Sequence, residues 1–158
     1  MKGTLRARAD QIRDQVIEVA VRNRAGHIAP SLSCVDILVA LYFKAMRYQP
    51  ENPVWEDRDR LILSKGHGPY ALYAILADLG VIPRAQWEGY YTEGSRLGGC
   101  IERNLSFGIE AGTGSLGHGL PMAVGLAFAA KVRGRTYHTF CVTGDGEFQE
   151  GSMWEALS

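Results

Sequence analysis

A single acid between two glycines, Asp145 in residues 144–146, has the residue types that hold a divalent cation against a phosphate. A carboxylate is a ligand of hard cations such as Mg²⁺, and phosphate oxygens can complete the octahedron when glycines let the backbone come close. The triplet follows the apolar residues 137–143, which predict a buried strand, and open α/β sheets bind ligands at the carboxyl ends of their strands. The alternative is a plain strand-to-helix turn, because Asp-Gly is a common turn pair.

Two histidines and a second glycine-rich segment are further candidates for this site. His67 follows a short apolar run in the stretch SerLysGlyHisGly, and His27 follows a predicted helix. Residues 112–119, GlyThrGlySerLeuGlyHisGly, predict a turn that leads into a helix, and its glycines would let a ligand approach the backbone. The alternatives are loop histidines bonded to the backbone and a tight helix start packed on a strand. These patterns alone therefore predict a phosphate-binding α/β domain and nothing more specific.

The composition predicts one globular domain over residues 1–158 and excludes several kinds of partner. The chain has 158 residues, of which 46% are hydrophobic and 22% charged, enough for a sizeable core. Seventeen basic residues balance seventeen acidic ones, so no net field favours nucleic acid or an anionic membrane. We find no apolar run long enough to span a bilayer and no apolar signal core. A cytoplasmic protein is therefore expected. Three widely spaced cysteines argue against a disulfide framework or a cysteine-based zinc site, so we expect reduced thiols.

Helical and strand patterns alternate along the chain. Ser33 and Asp36 have capping-box spacing before the apolar run that starts at Ile37, which predicts a helix start there. Residues 29–32 are expected to be a loop, and residues 92–117 a long irregular segment of the kind that is usually functional. Strands are predicted at residues 61–64 and 137–143, and helices at residues 5–24, 70–79, 84–90, 118–132 and from 153 onward.

Buried strands separated by helices indicate a parallel α/β sheet flanked by helices. Only two strands are predicted, whereas such sheets usually have about five or six. We therefore expect an incomplete sheet, completed by more chain or by a partner.

Four blocks taken together are specific: GHIAPSLSCVDIL, DRLILSKGHGPYALYAIL, GTGSLGHGLPMAVGLA and GDGEFQEGSMWEA. In order and spacing they resemble the N-terminal part of transketolase, which binds the diphosphate of thiamine diphosphate. The resemblance covers residues 9–158. It implies the thiamine-diphosphate-binding fold, thiamine diphosphate with Mg²⁺ (Ca²⁺ or Mn²⁺ could substitute), and transfer of a two-carbon ketol unit from a ketose or ketose phosphate to an aldose.

The resemblance also implies roles for individual residues. Asp145 would be the Mg²⁺ ligand, in a turn shaped by its two glycine neighbours. The histidine in SerLysGlyHisGly would reach the diphosphate and the reaction centre, and His27 would contact the substrate carbonyl or hydroxyls. Glu150 would lie at a subunit interface and couple paired active sites, with a smaller weight for Glu155. The implied set is catalytic His27, His67 and Glu150, and cofactor-binding His67, Gly114, Ser115, Leu116, Gly144, Asp145 and Gly146.

The chain departs from the family pattern at three places. AlaProSer at residues 29–31 replaces the more usual residues after His27. His118 stands where many relatives have glutamine, and either side chain can donate a hydrogen bond. Cys100 stands where transketolases carry a histidine that grips the donor sugar, which points to an unusual substrate or an impaired relative. The aromatic residues Trp87, Tyr90, Tyr91 and Trp154 are expected to be packing residues.

In this family a second metal-binding asparagine and the glutamate that activates the cofactor lie further along, the latter in a separate pyrimidine-binding domain. We therefore expect the chain to be inactive alone and to work with a C-terminal transketolase subunit, as two copies of each in a heterotetramer, whether it is a natural split subunit or a piece of a longer chain. The alternatives are another thiamine-dependent enzyme, such as a 1-deoxyxylulose-phosphate synthase or a dihydroxyacetone synthase, and a non-catalytic scaffold subunit.

Overall fold

The computed structural model describes residues 4–158, which divide into two compact units. The first, here called the helical unit, joins the described residues up to Met46 with His67–Gly99. The second, the sheet unit, joins Arg47–Gly66 with Cys100–Ser158. A single domain over residues 1–158 stays a prediction.

The helical unit packs around a central helix that is buried over most of its length. Its elements are α1 (Leu5–Asn23), α2 (Ile28–Leu32), α3 (Val35–Ala40) with a π-helical turn (Leu41–Ala45), α4 (Pro69–Asp78) and α5 (Arg84–Glu88). Residues 69–76 of α4 are all buried, and α1 supplies Ile12 and Val16 to the same core at helical spacing. The Thr4 hydroxyl caps α1 by accepting from the Ala7 N–H at 3.2 Å. The predicted helices at 5–24, 70–79 and 84–90 are confirmed.

Two predictions near the start of α3 are wrong. Residues 29–32 belong to a helix, because Pro30 lies in its first turn, where backbone N–H groups have no helical partner and a proline costs nothing. Ser33 does not cap α3: its backbone is helical, and its hydroxyl donates to the Pro30 carbonyl at 2.9 Å. Asp36 instead forms an ion pair with Arg13 of α1.

The stretch Ile28–Ala45 is long and apolar enough to cross a membrane by length and composition. This differs from the expectation drawn from single apolar runs, because α2, α3 and the π-helical turn follow one another almost without interruption. Core helices of soluble proteins pass the same test. Here Val35, Leu38 and Val39 are buried inside the helical unit, so the stretch is weak support for a membrane span.

The aromatic residues expected to pack do so in the helical unit. Trp87 and Tyr90 are fully buried, and Tyr90 lies against Tyr70 with ring centroids 4.6 Å apart. Burial raises the pKa of Tyr70 to about 12, and its hydroxyl donates to the Ala25 carbonyl at 2.6 Å. Trp154 of the sheet unit is the exception, since it is 60% exposed.

The sheet unit is built on two parallel strands, β1 (Arg60–Leu63) and β2 (Thr139–Val142), paired from Arg60 with Thr139 to Leu63 with Val142. Helix α6 (Gly119–Val132) packs on both strands, and α7 (Gly151–Leu157) packs on α6. Short 3-10 turns occupy Leu105–Phe107 and Asp145–Gln149. The predicted parallel sheet, its two strands and the two helices are confirmed. Residues 92–117 are irregular apart from the first of these turns and an isolated antiparallel bridge between Asn104 and Ile109.

Asp59 joins the starts of the two strands. Its carboxylate accepts from the Arg47 backbone N–H at 2.8 Å, from the Arg47 guanidinium at 2.9 Å and from the His138 N–H at 2.7 Å. Its side chain is only 2% exposed. Burial alone would raise the pKa of this carboxyl, but the hydrogen bonds and the Arg47 charge outweigh it and lower the pKa.

Helix α6 is closely packed on one face only. It buries Gly119, Ala123 and Ala130 against the sheet unit. Val124, Phe128 and Val132 recur every four residues on another face and are 43%, 67% and 69% exposed. Parallel strands are normally covered on both faces, yet most of β2 is only half-buried. The described sheet unit therefore leaves apolar surface uncovered.

Candidate functional site

The carboxyl ends of the two strands lie side by side. The Ser64 N–H donates to the Val142 carbonyl at 2.8 Å, directly before the turn that carries Asp145. Asp145 is exposed and begins a 3-10 turn, and its carboxylate makes no hydrogen bond or ion pair with any residue between 4 and 158. A Cβ on Gly146 would meet nothing within 4 Å. The predicted cation ligand thus has a free carboxylate on an open turn at the edge where α/β sheets bind ligands.

A buried glutamate that sequence reasoning missed organises this edge. Glu147 is 1% exposed. Its Oε1 accepts from the Ser64 hydroxyl at 2.7 Å and from the Gly117 N–H at 3.1 Å, and its Oε2 accepts from the Gly144 N–H at 2.8 Å. One carboxylate therefore ties the end of β1 to both glycine-containing turns. The only signal in the sequence is a glutamate three residues after Gly144, which is the spacing of a capping box.

The second glycine turn, residues 114–117, has a backbone that favours glycine at both ends. Gly114 has φ +143° and Gly117 has φ +84°. A Cβ on Gly117 would lie 2.7 Å from the Glu150 Cβ, and the Ser152 hydroxyl donates to the Gly117 carbonyl at 2.8 Å. Ser115 and Leu116 between them are exposed, so the middle of the predicted cofactor-binding segment is open to a ligand.

Three further candidate side chains lie around this second turn. Glu150 is exposed and directly precedes α7, and Glu155 is exposed on α7 itself. The Leu116 carbonyl lies 3.1 Å from Nδ1 of His118, where a proton on Nδ1 would make a hydrogen bond. The predicted roles of these side chains stay predictions.

The first glycine of SerLysGlyHisGly packs directly on the second turn. The Gly66 carbonyl accepts from the Ile101 N–H at 3.1 Å, and a Cβ on Gly66 would lie 2.5 Å from the Gly114 nitrogen. Thr113 completes this junction, since its N–H donates to the Ile101 carbonyl at 2.9 Å and its hydroxyl to the Leu63 carbonyl at 2.7 Å. The end of β1 and the glycine turn are thereby held together by main-chain contacts that leave no room for a side chain at position 66.

Cys100 lies next to the glycine turn. It is exposed, and its Sγ is 3.3 Å from where a Cβ on Gly114 would stand. Cys100 and Ser115 line an open cavity of about 470 Å³. Its other lining residues are Ile101, Glu102, Arg103, Gly112, Thr113, His118 and Met122. The departure noted at Cys100 therefore borders the predicted cofactor-binding backbone.

The two predicted histidines are neighbours in the helical unit. The ring centroids of His27 and His67 are 6.1 Å apart, with the planes at 82°. His27 is exposed at the start of α2, where its carbonyl accepts from the Ser31 hydroxyl at 2.8 Å, and His67 is half-buried. Gly26 precedes them with φ +87°, and a Cβ there would meet the rings of Tyr91 and Tyr70. The structure thus groups the candidate residues in two sets, one in each unit.

The sheet-unit set fits a metal diphosphate better than a metal held by protein alone. No group of three or more His, Cys, Asp or Glu side chains within residues 4–158 could hold an ion. Mg²⁺ typically takes one or two carboxylates and completes its shell with phosphate oxygens and water. One free carboxylate beside two accessible glycine turns has the donor chemistry for a metal that arrives with a diphosphate.

Comparison with known proteins gives one family. A family profile described as the thiamine diphosphate binding domain of transketolase matches residues 5–158. An apulose-4-phosphate transketolase subunit of Phocaeicola vulgatus is 42% identical over 153 residues, which are 97% of this chain and 54% of that protein. The 6-deoxy-6-sulfo-D-fructose transketolase subunit SqwG of Clostridium sp. is 41% identical over 152 residues, 96% of this chain and 55% of that protein. The chain therefore spans about half the length of these relatives.

Solved structures show the same fold. Transketolase from Leishmania mexicana matches with a TM-score of 0.86 and 31% identity, over 99% of this chain and 25% of that one. Transketolase from Campylobacter jejuni matches with a TM-score of 0.84 and 33% identity, over 96% of this chain and 25% of that one. The predicted fold class and the predicted resemblance are both confirmed. The chain belongs to the transketolase family, and the part of that family it matches is the thiamine diphosphate-binding domain.

Proposed function

We propose that this chain binds thiamine diphosphate with Mg²⁺ and serves a cytoplasmic transketolase that moves a two-carbon ketol unit from a ketose to an aldose. The observation that carries the proposal is the free carboxylate of Asp145 at the carboxyl end of β2, beside two accessible glycine turns. Family membership supports the cofactor, and the names of the relatives support ketol transfer. The three cysteines are thiols rather than disulfides, which agrees with the location.

Each candidate residue of this chain would have its own role toward the cofactor or the substrate. Asp145 would hold Mg²⁺, which Ca²⁺ or Mn²⁺ could replace. The backbone of residues 114–116 would line the aminopyrimidine. When bound, thiamine diphosphate supplies the centre that stabilises a carbanion. His27 and His67 would donate hydrogen bonds to oxygens that gain negative charge during transfer.

We further propose an anionic ketose as the donor. Two similar proteins are named for apulose-4-phosphate and 6-deoxy-6-sulfo-D-fructose, sugars that carry a phosphate and a sulfonate. Cys100 lies beside Gly114, at the place of a sugar-binding histidine, and its thiol is a weaker hydrogen-bond donor than an imidazole N–H. A changed donor-sugar subsite is consistent with a substrate other than the common ketose phosphates. Product analysis with several ketose donors and with pyruvate separates this proposal from other thiamine-dependent chemistry.

The test of the metal role uses calorimetry. Thiamine diphosphate with Mg²⁺ is titrated into the chain together with its C-terminal pyrimidine-binding subunit. We expect Asp145→Asn, which removes the charge and keeps the shape, to reduce cofactor affinity by at least about tenfold. Asp14→Asn, a change at another exposed aspartate on α1, should leave affinity unaltered. Equal affinities for all three proteins would refute the proposal, and assembly without any cofactor binding would indicate a scaffold subunit.

The partner would be a C-terminal pyrimidine-binding subunit. Two copies of it would join two copies of this chain, and only the assembled complex would be active. Relatives named as subunits support a partner. The exposed stripe of Val124, Phe128 and Val132 on α6, with Trp154 and Leu157 on α7, offers it an apolar surface. We expect Phe128→Asp to abolish co-elution with the partner. Val21→Asp on α1 is the matched control, since Val21 is 66% exposed and Phe128 67%.

Light scattering on the co-eluting complex measures its stoichiometry. Co-elution that survives Phe128→Asp would refute this surface. If a longer form of this chain itself covers the stripe, the same variant would lower that form's stability and leave association intact.

A further inference from the structure

We propose that Glu147 is a positioning residue that holds the two glycine turns of the sheet unit at the spacing that bound thiamine diphosphate requires. This inference rests on the proposed cofactor. Glu147 is not exposed enough to touch a ligand itself, since only 1% of it is accessible. Its effect must therefore pass through the groups it binds.

Those groups are the two turns and the end of β1. The Gly144 N–H donates to Oε2, and the Gly117 N–H and the Ser64 hydroxyl donate to Oε1. Gly144 is adjacent to Asp145, and Gly117 is adjacent to Leu116. A change at Glu147 would therefore shift both the proposed metal ligand and the proposed cofactor-lining backbone.

Gly117 is also held on the side away from Glu147. A Cβ on Gly117 would lie 2.7 Å from the Glu150 Cβ, and Ser152 holds the Gly117 carbonyl. The turn is thus pressed between Glu147 and the start of α7. Since Glu147 and α7 follow the same strand, one short segment after β2 sets the position of both turns.

A glutamine at position 147 distinguishes a carboxylate that links the two turns from a carboxylate that is buried without linking them. Glu147→Gln keeps the shape but leaves a single acceptor oxygen. In either orientation the amide nitrogen faces the N–H of Gly144 or of Gly117, and two donors repel. One turn is therefore released in either case. Ser64→Ala removes one bond and leaves both turns tied.

The experiment measures cofactor binding by calorimetry in the assembled complex. We expect Glu147→Gln to weaken binding of thiamine diphosphate with Mg²⁺ by about 10- to 100-fold, the size of one lost charge-assisted hydrogen bond. Ser64→Ala should weaken it less than Glu147→Gln does. Glu51→Gln, an exposed change of the same charge, should have no effect. Equal binding by Glu147→Gln and wild type, with or without a lower melting temperature, would overturn the proposal.

Amide hydrogen exchange in the wild-type chain tests the tie even if the variants do not fold. We expect the N–H groups of Gly117 and Gly144 to exchange slowly before any cofactor is added, because both donate to a buried carboxylate. Fast exchange at both positions would overturn the inference. If the wild-type complex binds no cofactor while both amides are protected, the proposed function fails and the tie between the turns stands.

Discussion

Two glycines of α6 differ in what a methyl group would meet, and this gives a test of the packing beneath the site. A Cβ on Gly119 would lie 2.5 Å from both Cα and Cβ of Ser64, against 3.4–4 Å for an ordinary contact. In Gly119→Ala the start of α6 and the end of β1 would have to separate by about 1 Å, and such overpacking typically costs about 1–3 kcal/mol. A Cβ on Gly125, in the same helix, would meet nothing within 4 Å.

Alanine forms helix better than glycine by about 0.5–1 kcal/mol. We therefore expect Gly125→Ala to raise the free energy of unfolding by about that amount. Gly119 is the first residue of α6, outside the helix interior where this gain applies, so we expect Gly119→Ala to lower the free energy of unfolding by about 1–3 kcal/mol. Urea unfolding followed by circular dichroism measures both, with the shift in midpoint read at constant slope. A Gly119→Ala protein as stable as wild type, or an equal loss in both variants, would refute the packing described here.

Two further predictions concern single titratable groups. Because the folded pKa of Asp59 is lowered, the carboxylate contributes fully to the free energy of unfolding above the unfolded pKa of about 3.9, and this contribution is lost as the pH falls through the folded pKa. Asp59→Asn should therefore lower the free energy of unfolding in urea by about 1–3 kcal/mol at pH 7 and by clearly less at pH 3. The same loss at both pH values would contradict this. Burial, and after it the nearby Glu147, raises the pKa of the Cys141 thiol to about 11, and Cys34 is buried. Iodoacetamide at pH 7.5 should therefore label exposed Cys100 first by mass mapping, since thiolate is the reactive form, and equal labelling of Cys141 would contradict it.

Local patterns predicted most of the elements. The strands and the helices α1 and α4–α7 were visible because apolar spacing and glycine positions are short-range signals. The two errors around α2 came from treating Pro30 as part of a loop and Ser33 as a cap. Both residues suit more than one backbone conformation. The helical one is stabilised here by side-chain hydrogen bonds, from the Ser31 hydroxyl to the His27 carbonyl and from the Ser33 hydroxyl to the Pro30 carbonyl.

The burial of apolar residues was harder to predict than their secondary structure. Trp154 and Phe128 are apolar, yet both are more than half exposed in the described chain. Composition shows that a helix has apolar residues but not which face meets its own chain. That choice depends on which elements are present to cover it.

The sequence alone determined the chemistry of the candidate site: an acid between glycines after a strand, glycine-rich turns and two histidines lie in segments short enough to read directly. Only the tertiary structure decided what holds these segments. Glu147 binds Ser64 and Gly117, which are 83 and 30 residues away. Backbone hydrogen bonds and apolar periodicity repeat locally and leave a pattern. The distant partners of one buried carboxylate depend on how remote segments meet, and they leave none.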